Sequence, residues 1–200
     1  MADRTFSALG LPVVDITPND SVVVAAVQQW LDDVVIGLGL CPFAAAPRRL
    51  GNIGFEVCNA QAEQDIAAFI DSELQRLVHT PVQKLETSLL ITPYAFAEFE
   101  DYNQFLSVVD TLIGLGGLSG QVQVASFHPR YRFEGSSPQD QSNLTNCSPY
   151  PIFHLIREAS LTRVLAGVAD PDAIPERNIQ LTESLADGQI RRLFPYWVAK

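Results

Sequence analysis

Ser88-Leu89-Leu90-Ile91-Thr92 is a short, uncharged, mostly apolar run closed by Pro93. A run of that length bounded by a turn signal reads as a strand buried on both faces. On its N-terminal side, Ile66, Phe69, Ile70, Leu74, Leu77 and Val78 recur at helical spacing. On its C-terminal side, Phe99, Tyr102, Leu106, Val109 and Ile113 do the same. Beyond these two helical stripes lie two further strand-like runs, Ile53–Cys58 and Val122–Phe127. They alternate more, through Glu56 on one and Gln121 and Gln123 around the other, as edge strands do. Strand–helix–strand–helix–strand predicts right-handed crossovers and an α/β fold, with a small, mainly parallel or mixed sheet covered by helices. An antiparallel member, as in ferredoxin-like folds, stays compatible with the pattern.

The flanks extend this frame. Residues 1–19, with Pro12 and Pro18, read as a lead-in, and residues 20–200 as a single α/β domain. Asp20 is the expected N-cap of a helix over Ser21–Leu38, ended by Gly37 and Gly39. The glycine-rich stretch Gly114–Gly120 follows a helix and precedes a strand, the reverse of nucleotide-loop order, and reads as a helix stop and turn. Residues 128–150 have no period but hold Tyr131, Phe133, Leu144 and Tyr150, so they are expected to form an ordered, functional loop. A helix is then expected from Pro151 to about Leu165, a shorter one over 177–186, and a tail at 194–197 that packs back onto the domain.

Composition narrows the function. Of the 200 residues, 47% are hydrophobic and 18% charged, which is a globular profile. The net charge of -10 argues against nucleic acid and against an anionic membrane surface as partners. The longest uncharged stretch, Val34–Pro47, is too short and too broken to cross a bilayer. Cys41, Cys58 and Cys147 are odd in number and widely spaced, which fits a reducing cytoplasm and neither a disulfide framework nor a zinc knuckle.

Residues 85–129 contain no Lys or Arg, after which Arg130, Arg132, Arg157 and Arg163 appear close together. This change of sign falls at the C-terminal end of the third expected strand, the edge at which open parallel sheets bind ligands. His128 would sit there with Arg130 and Arg132, and Asn143 and Asn146 would add amide donors. The cluster reads either as solvated surface or as a site for a small carboxylate or phosphate. On the helix expected from Pro151, His154, Arg157 and Glu158 share one face. That face is either a wet polar side or a site covered by the long loop, with His154 as acid or base, Glu158 orienting it and Arg157 holding substrate charge. Cys41, in Gly39-Leu40-Cys41-Pro42-Phe43, is either inert core or a nucleophile activated by His128 or His154, with Arg48 and Arg49 lowering its pKa. His128, His154 and Glu158 also make a conceivable two-His, one-carboxylate metal set; no cofactor is otherwise indicated.

The chain resembles the domain-of-unknown-function family 1415 over most of residues 21–190. The resemblance rests on Gly-Leu-Cys-Pro-Phe at 39–43, Phe127-His128-Pro129, the stretch Asn146–Pro151, and His154-Leu155-Ile156-Arg157-Glu158. Where the family often carries Arg after the asparagine, this chain has Cys147. The resemblance implies a soluble bacterial α/β protein and no particular activity. Three functional classes follow: an enzyme using His-mediated acid–base or hydrolytic chemistry on a small anionic metabolite, a non-catalytic ligand- or partner-binding module, and a metal-dependent hydrolase.

Overall fold

A computed structural model describes residues 19–168 and 170–197. The lead-in expected before residue 19 lies outside the described residues. Four strands form one mixed sheet: β1 (Ile53–Val57), β2 (Thr87–Ile91), β3 (Val122–Phe127) and β4 (Ile152–Arg157), in the order β1-β2-β4-β3. β1 and β2 pair in parallel, and β4 runs antiparallel to both β2 and β3. The three strands expected from the sequence therefore all point one way. β4 is inserted between the second and third of them.

The crossovers from β1 to β2 and from β2 to β3, each through one helix, advance across the sheet in the same direction. Right-handed connections then place both helices on one face. Accordingly α3 (Glu63–His79) and α4 (Phe99–Leu115) share a core with Leu90, Phe153 and Leu155. Their apolar stripes are those read from the sequence, except that on α4 Phe105 is buried and Leu106 only partly so. α4 stops at Gly116, and Gly117 takes the left-handed conformation (φ 68°), as a helix stop requires.

The opposite face of the sheet is covered by α1 (Asp20–Trp30) and by a π-helical continuation, Leu31–Ile36. The cap is Asn19, one residue before the expected Asp20; its side chain accepts the Ser21 N–H at 3.2 Å. The π segment ends at Gly37, where a Cβ would collide with the Asp33 carbonyl oxygen. Glycine is needed there because the widened turn brings backbone into side-chain space. Next come α2 (Ala45–Leu50), α5 (Glu158–Leu165), α6 (Ile174–Glu183) and α7 (Asp187–Leu193). The tail returns as expected: Phe194 is fully buried, and Tyr196 donates its hydroxyl proton to the Cys147 carbonyl at 3.3 Å.

The segment after Pro151 is the main correction. Ile152–Arg157 is a strand, and the helix begins only at Glu158. An apolar run such as Ile152-Phe153-His154-Leu155-Ile156 satisfies helical and strand periodicity equally well. Here tertiary pairing decides: β4 supplies hydrogen-bonding partners to β2 on one side and β3 on the other. In a strand, alternate residues point to opposite faces. His154 therefore faces the α1 layer, while Arg157 faces α3.

Candidate functional site

Three of the expected ligand-binding arginines are engaged elsewhere. Arg157 reaches the end of α3, where its guanidinium donates to the carbonyls of Leu77, Thr80 (2.6 Å) and Leu85 (3.2 Å). The last carbonyls of a helix lack intrahelical partners, so Arg157 acts as a cap supplied from the sheet. Arg130 makes a bidentate pair with Glu98 (2.8 and 2.7 Å), and Arg132 pairs with Glu100 at 2.7 Å. Both pairs are largely exposed. They line an open cleft of about 440 Å³ with Tyr196 and Trp197, in which each guanidinium already has its carboxylate.

His128 is 1% exposed, and both its nitrogens are committed. Nδ1 accepts the Arg130 N–H at 2.9 Å, so Nε2 carries the proton and donates to the Phe96 carbonyl at 2.8 Å. Its ring sits against Phe99 and Tyr102 of α4. Burial holds its pKa below the usual histidine value, only partly offset by the Phe96 hydrogen bond. His128 thus organises a turn and has no ring nitrogen left for a substrate. Asn143 is likewise internal: its Oδ1 accepts from the Phe133 N–H and Ser136 Oγ, and its Nδ2 donates to the Ser137 carbonyl. Asn146 donates to the Ser126 carbonyl at 3.0 Å. The long loop is therefore as ordered as expected, but its polar groups are spent on holding its own shape. Cys147 is buried and its thiol is pushed up to about 12 by that burial.

His154 occupies a different environment. It lies between Leu89 of β2 and Ala125 of β3 on the sheet surface. The Thr87 hydroxyl donates to the Leu155 carbonyl at 2.6 Å, which commits its proton. The 2.7 Å contact between Thr87 Oγ1 and His154 Nε2 is then donated by the imidazole. Nδ1 consequently carries a lone pair, and it makes no hydrogen bond among the described residues. Burial lowers the His154 pKa to about 4, so the ring is neutral near pH 7. Glu158, expected to orient it, starts α5 instead; Thr87 performs that role.

Above His154 lies a cavity of about 430 Å³. The sheet forms its floor, and the turn Cys41–Ala44 with α2 forms one wall. α5 supplies the opposite wall through Leu161 and Val164. The lining is predominantly apolar. Its polar part comprises Thr87, His154, Ser160 and the Glu86–Arg163 ion pair (2.8 Å). Cys41 lines the same cavity, so the structure brings Cys41 and His154 together and leaves His128 on the other side of the sheet. The Cys41 thiol is half-buried. Burial raises its pKa, although the backbone N–H groups of Phe43 and Ala44 act in the opposite direction. Arg48 does not activate it, being bound bidentately to Asp32 (2.8 and 2.7 Å).

Sequence reading missed Thr87, Glu86, Ser160 and α2 as parts of the site. Thr87 had a signal: it shares strand parity with Leu89 and Ile91, one position before the run taken as the strand. The conceivable metal set does not form, because His128 and His154 lie on opposite faces of the sheet. Among the described residues no three His, Cys, Asp or Glu side chains are grouped to hold a metal. No helix among them is long and apolar enough to cross a membrane.

The fold and this cavity define an α/β protein with a ligand-sized, apolar recess on one face of a mixed sheet. The chain belongs to the family described as "Protein of unknown function (DUF1415)", whose family model matches residues 22–192. No curated protein and no solved structure matches it.

Proposed function

We propose that the protein binds a small, predominantly apolar molecule in the cavity above His154, through one hydroxyl or amine that donates to Nδ1. The observation that carries this reading is the unpaired Nδ1 lone pair beneath a mostly apolar recess of about 430 Å³. Apolar recesses of this size with a few convergent polar groups are typical small-molecule sites. Anionic ligands are less well served. Arg130 and Arg132 are paired with glutamates, Arg157 caps a helix, and the Glu86 carboxylate accompanies Arg163 at the cavity.

The test is saturable binding of hexan-1-ol by calorimetry. Ala125 faces the cavity beside His154, and Ala125→Trp fills the recess from the sheet side. Wild type binds with a stoichiometry of one. The folded Ala125→Trp variant loses at least tenfold in affinity. Equal affinities in the two proteins reject the site.

A second reading is favoured by one observation, the shared cavity of Cys41 and His154: thiol chemistry with His154 as base. It ranks second because burial keeps the thiol protonated and the imidazole a weak base. Binding that survives Cys41→Ala, with no product formed by wild type, supports the module over the enzyme. The three cysteines are unpaired, in keeping with a reducing cytoplasm.

A further inference from the structure

A second cavity, of about 300 Å³, adjoins the one above His154. Cys41 and Phe127 line both, so the two cavities meet at these side chains. The Phe127 ring is held there edge-on by Trp30, at 5.2 Å between centroids, and Trp30 is itself fixed by its Nε1–H bond to the Cys147 carbonyl (2.9 Å). The two cavities differ in what they offer a ligand. Around the first, His154 Nδ1 is an acceptor without a donor among the described residues. Around the second, the polar side chains satisfy one another or the backbone. Asn178 Nδ2 donates to the Leu40 carbonyl (2.7 Å), Asn146 Nδ2 to the Ser126 carbonyl, and the Thr145 hydroxyl lies against the Ser142 carbonyl and Asn146 Oδ1. What remains for a ligand is the apolar surface of Ile179 and its neighbours.

We infer that the ligand is an elongated amphiphile, a straight alkyl chain ending in a hydroxyl, whose head meets His154 and whose chain passes Cys41 and Phe127 into the second cavity. This rests on the proposed function and adds to it the ligand's shape, polarity and direction. An apolar tail suits a cavity whose hydrogen-bonding groups are already paired, since a polar tail would arrive there without partners. A hydroxyl suits the His154 end, because it donates to a neutral imidazole and needs no counter-charge. Ile179, on α6, is half-buried at the far end of the path.

The experiment compares straight-chain alkan-1-ols from butan-1-ol to dodecan-1-ol on wild type and on Ile179→Trp. Each methylene buried tightens binding about fourfold. In wild type this gain continues to dodecan-1-ol. In Ile179→Trp the second cavity is filled, so butan-1-ol binds as in wild type while the gain stops at a shorter chain. A second measurement needs no variant: saturating dodecan-1-ol slows iodoacetamide alkylation of Cys41 in wild type at least tenfold, because the chain passes over the thiol where the two cavities meet. Identical chain-length profiles in the two proteins, or an unchanged alkylation rate with dodecan-1-ol bound, overturn the elongated path while leaving the first cavity as a site. Absence of saturable binding by butan-1-ol and every longer homologue overturns the proposed function itself.

Discussion

Arg157→Ala lowers the unfolding free energy by about 2–4 kcal/mol, because it removes charge-assisted hydrogen bonds and leaves helix-end carbonyls without donors. The residue sits at the end of β4, and its guanidinium gathers Leu77, Thr80 and Leu85, which belong to the close of α3 and the loop leading to β2. It therefore ties the first crossover to the strand inserted later in the chain. Burial disfavours its charged form, with Glu86 acting in the opposite direction. Arg157→Lys recovers only part of the loss, since one ammonium cannot reproduce a planar fork aimed at several acceptors. Urea unfolding followed by circular dichroism measures the effect. A loss below about 1 kcal/mol shows the guanidinium to be an ordinary surface group. Alcohol binding under conditions where the variant stays folded is unchanged, because Arg157 faces α3 and the cavity lies on the other side of the sheet.

The second large effect is pH-dependent. In the folded protein the His154 pKa is about 4, against about 6.5 for an unperturbed histidine. The unfolded chain thus binds this proton more readily. The contribution of the neutral buried ring is fully present above pH 6.5 and is lost as pH falls towards 4, an effect of about 3 kcal/mol. His128 is shifted in the same direction and adds to the loss over the same acid range. Two carboxylates are shifted with opposite signs: Asp32 is lowered, chiefly by its hydrogen bond to Arg48, and Glu56 is raised by burial. The effect of His154 is therefore read as a difference between proteins. Urea midpoints measured from pH 7.5 to 4.5 give a steep fall for wild type and a flatter profile for His154→Gln, whose amide keeps a donor for Thr87 without titrating. Parallel profiles contradict a buried neutral imidazole at this position.

Much of the fold was legible from residues whose local pattern and tertiary environment agree. The stripes of α3 and α4, the doubly buried run at β2 and the more polar edges at β1 and β3 all read correctly, because each is enforced by one-sided or two-sided burial that composition records. β4 was not legible. Ile152–Ile156 carries no period that separates strand from helix, and its state is settled by two partners distant in sequence. That difference disperses the expected site, since a helix would have put His154, Arg157 and Glu158 on one face whereas the strand sends His154 and Arg157 to opposite sides. The arginine cluster misled for a related reason. The positive charges from Arg130 onward are close in sequence, but their partners Glu98 and Glu100 lie at the start of α4, where no spacing rule links the two segments. Cys41 and His154 were both legible as residues worth watching. Their meeting in one cavity on the same face of the sheet, with Thr87 fixing the imidazole, belongs to tertiary structure alone.

The ring nitrogens of His154 report on the cavity most directly. In protein labelled with ¹⁵N at histidine, the free protein at pH 7 shows His154 protonated at Nε2 and bare at Nδ1. On saturation with hexan-1-ol the Nδ1 resonance shifts as it accepts a hydrogen bond, and both His128 nitrogens stay in place. A proton resident on Nδ1 in the free protein, or an Nδ1 resonance unmoved while the alcohol binds, contradicts the account.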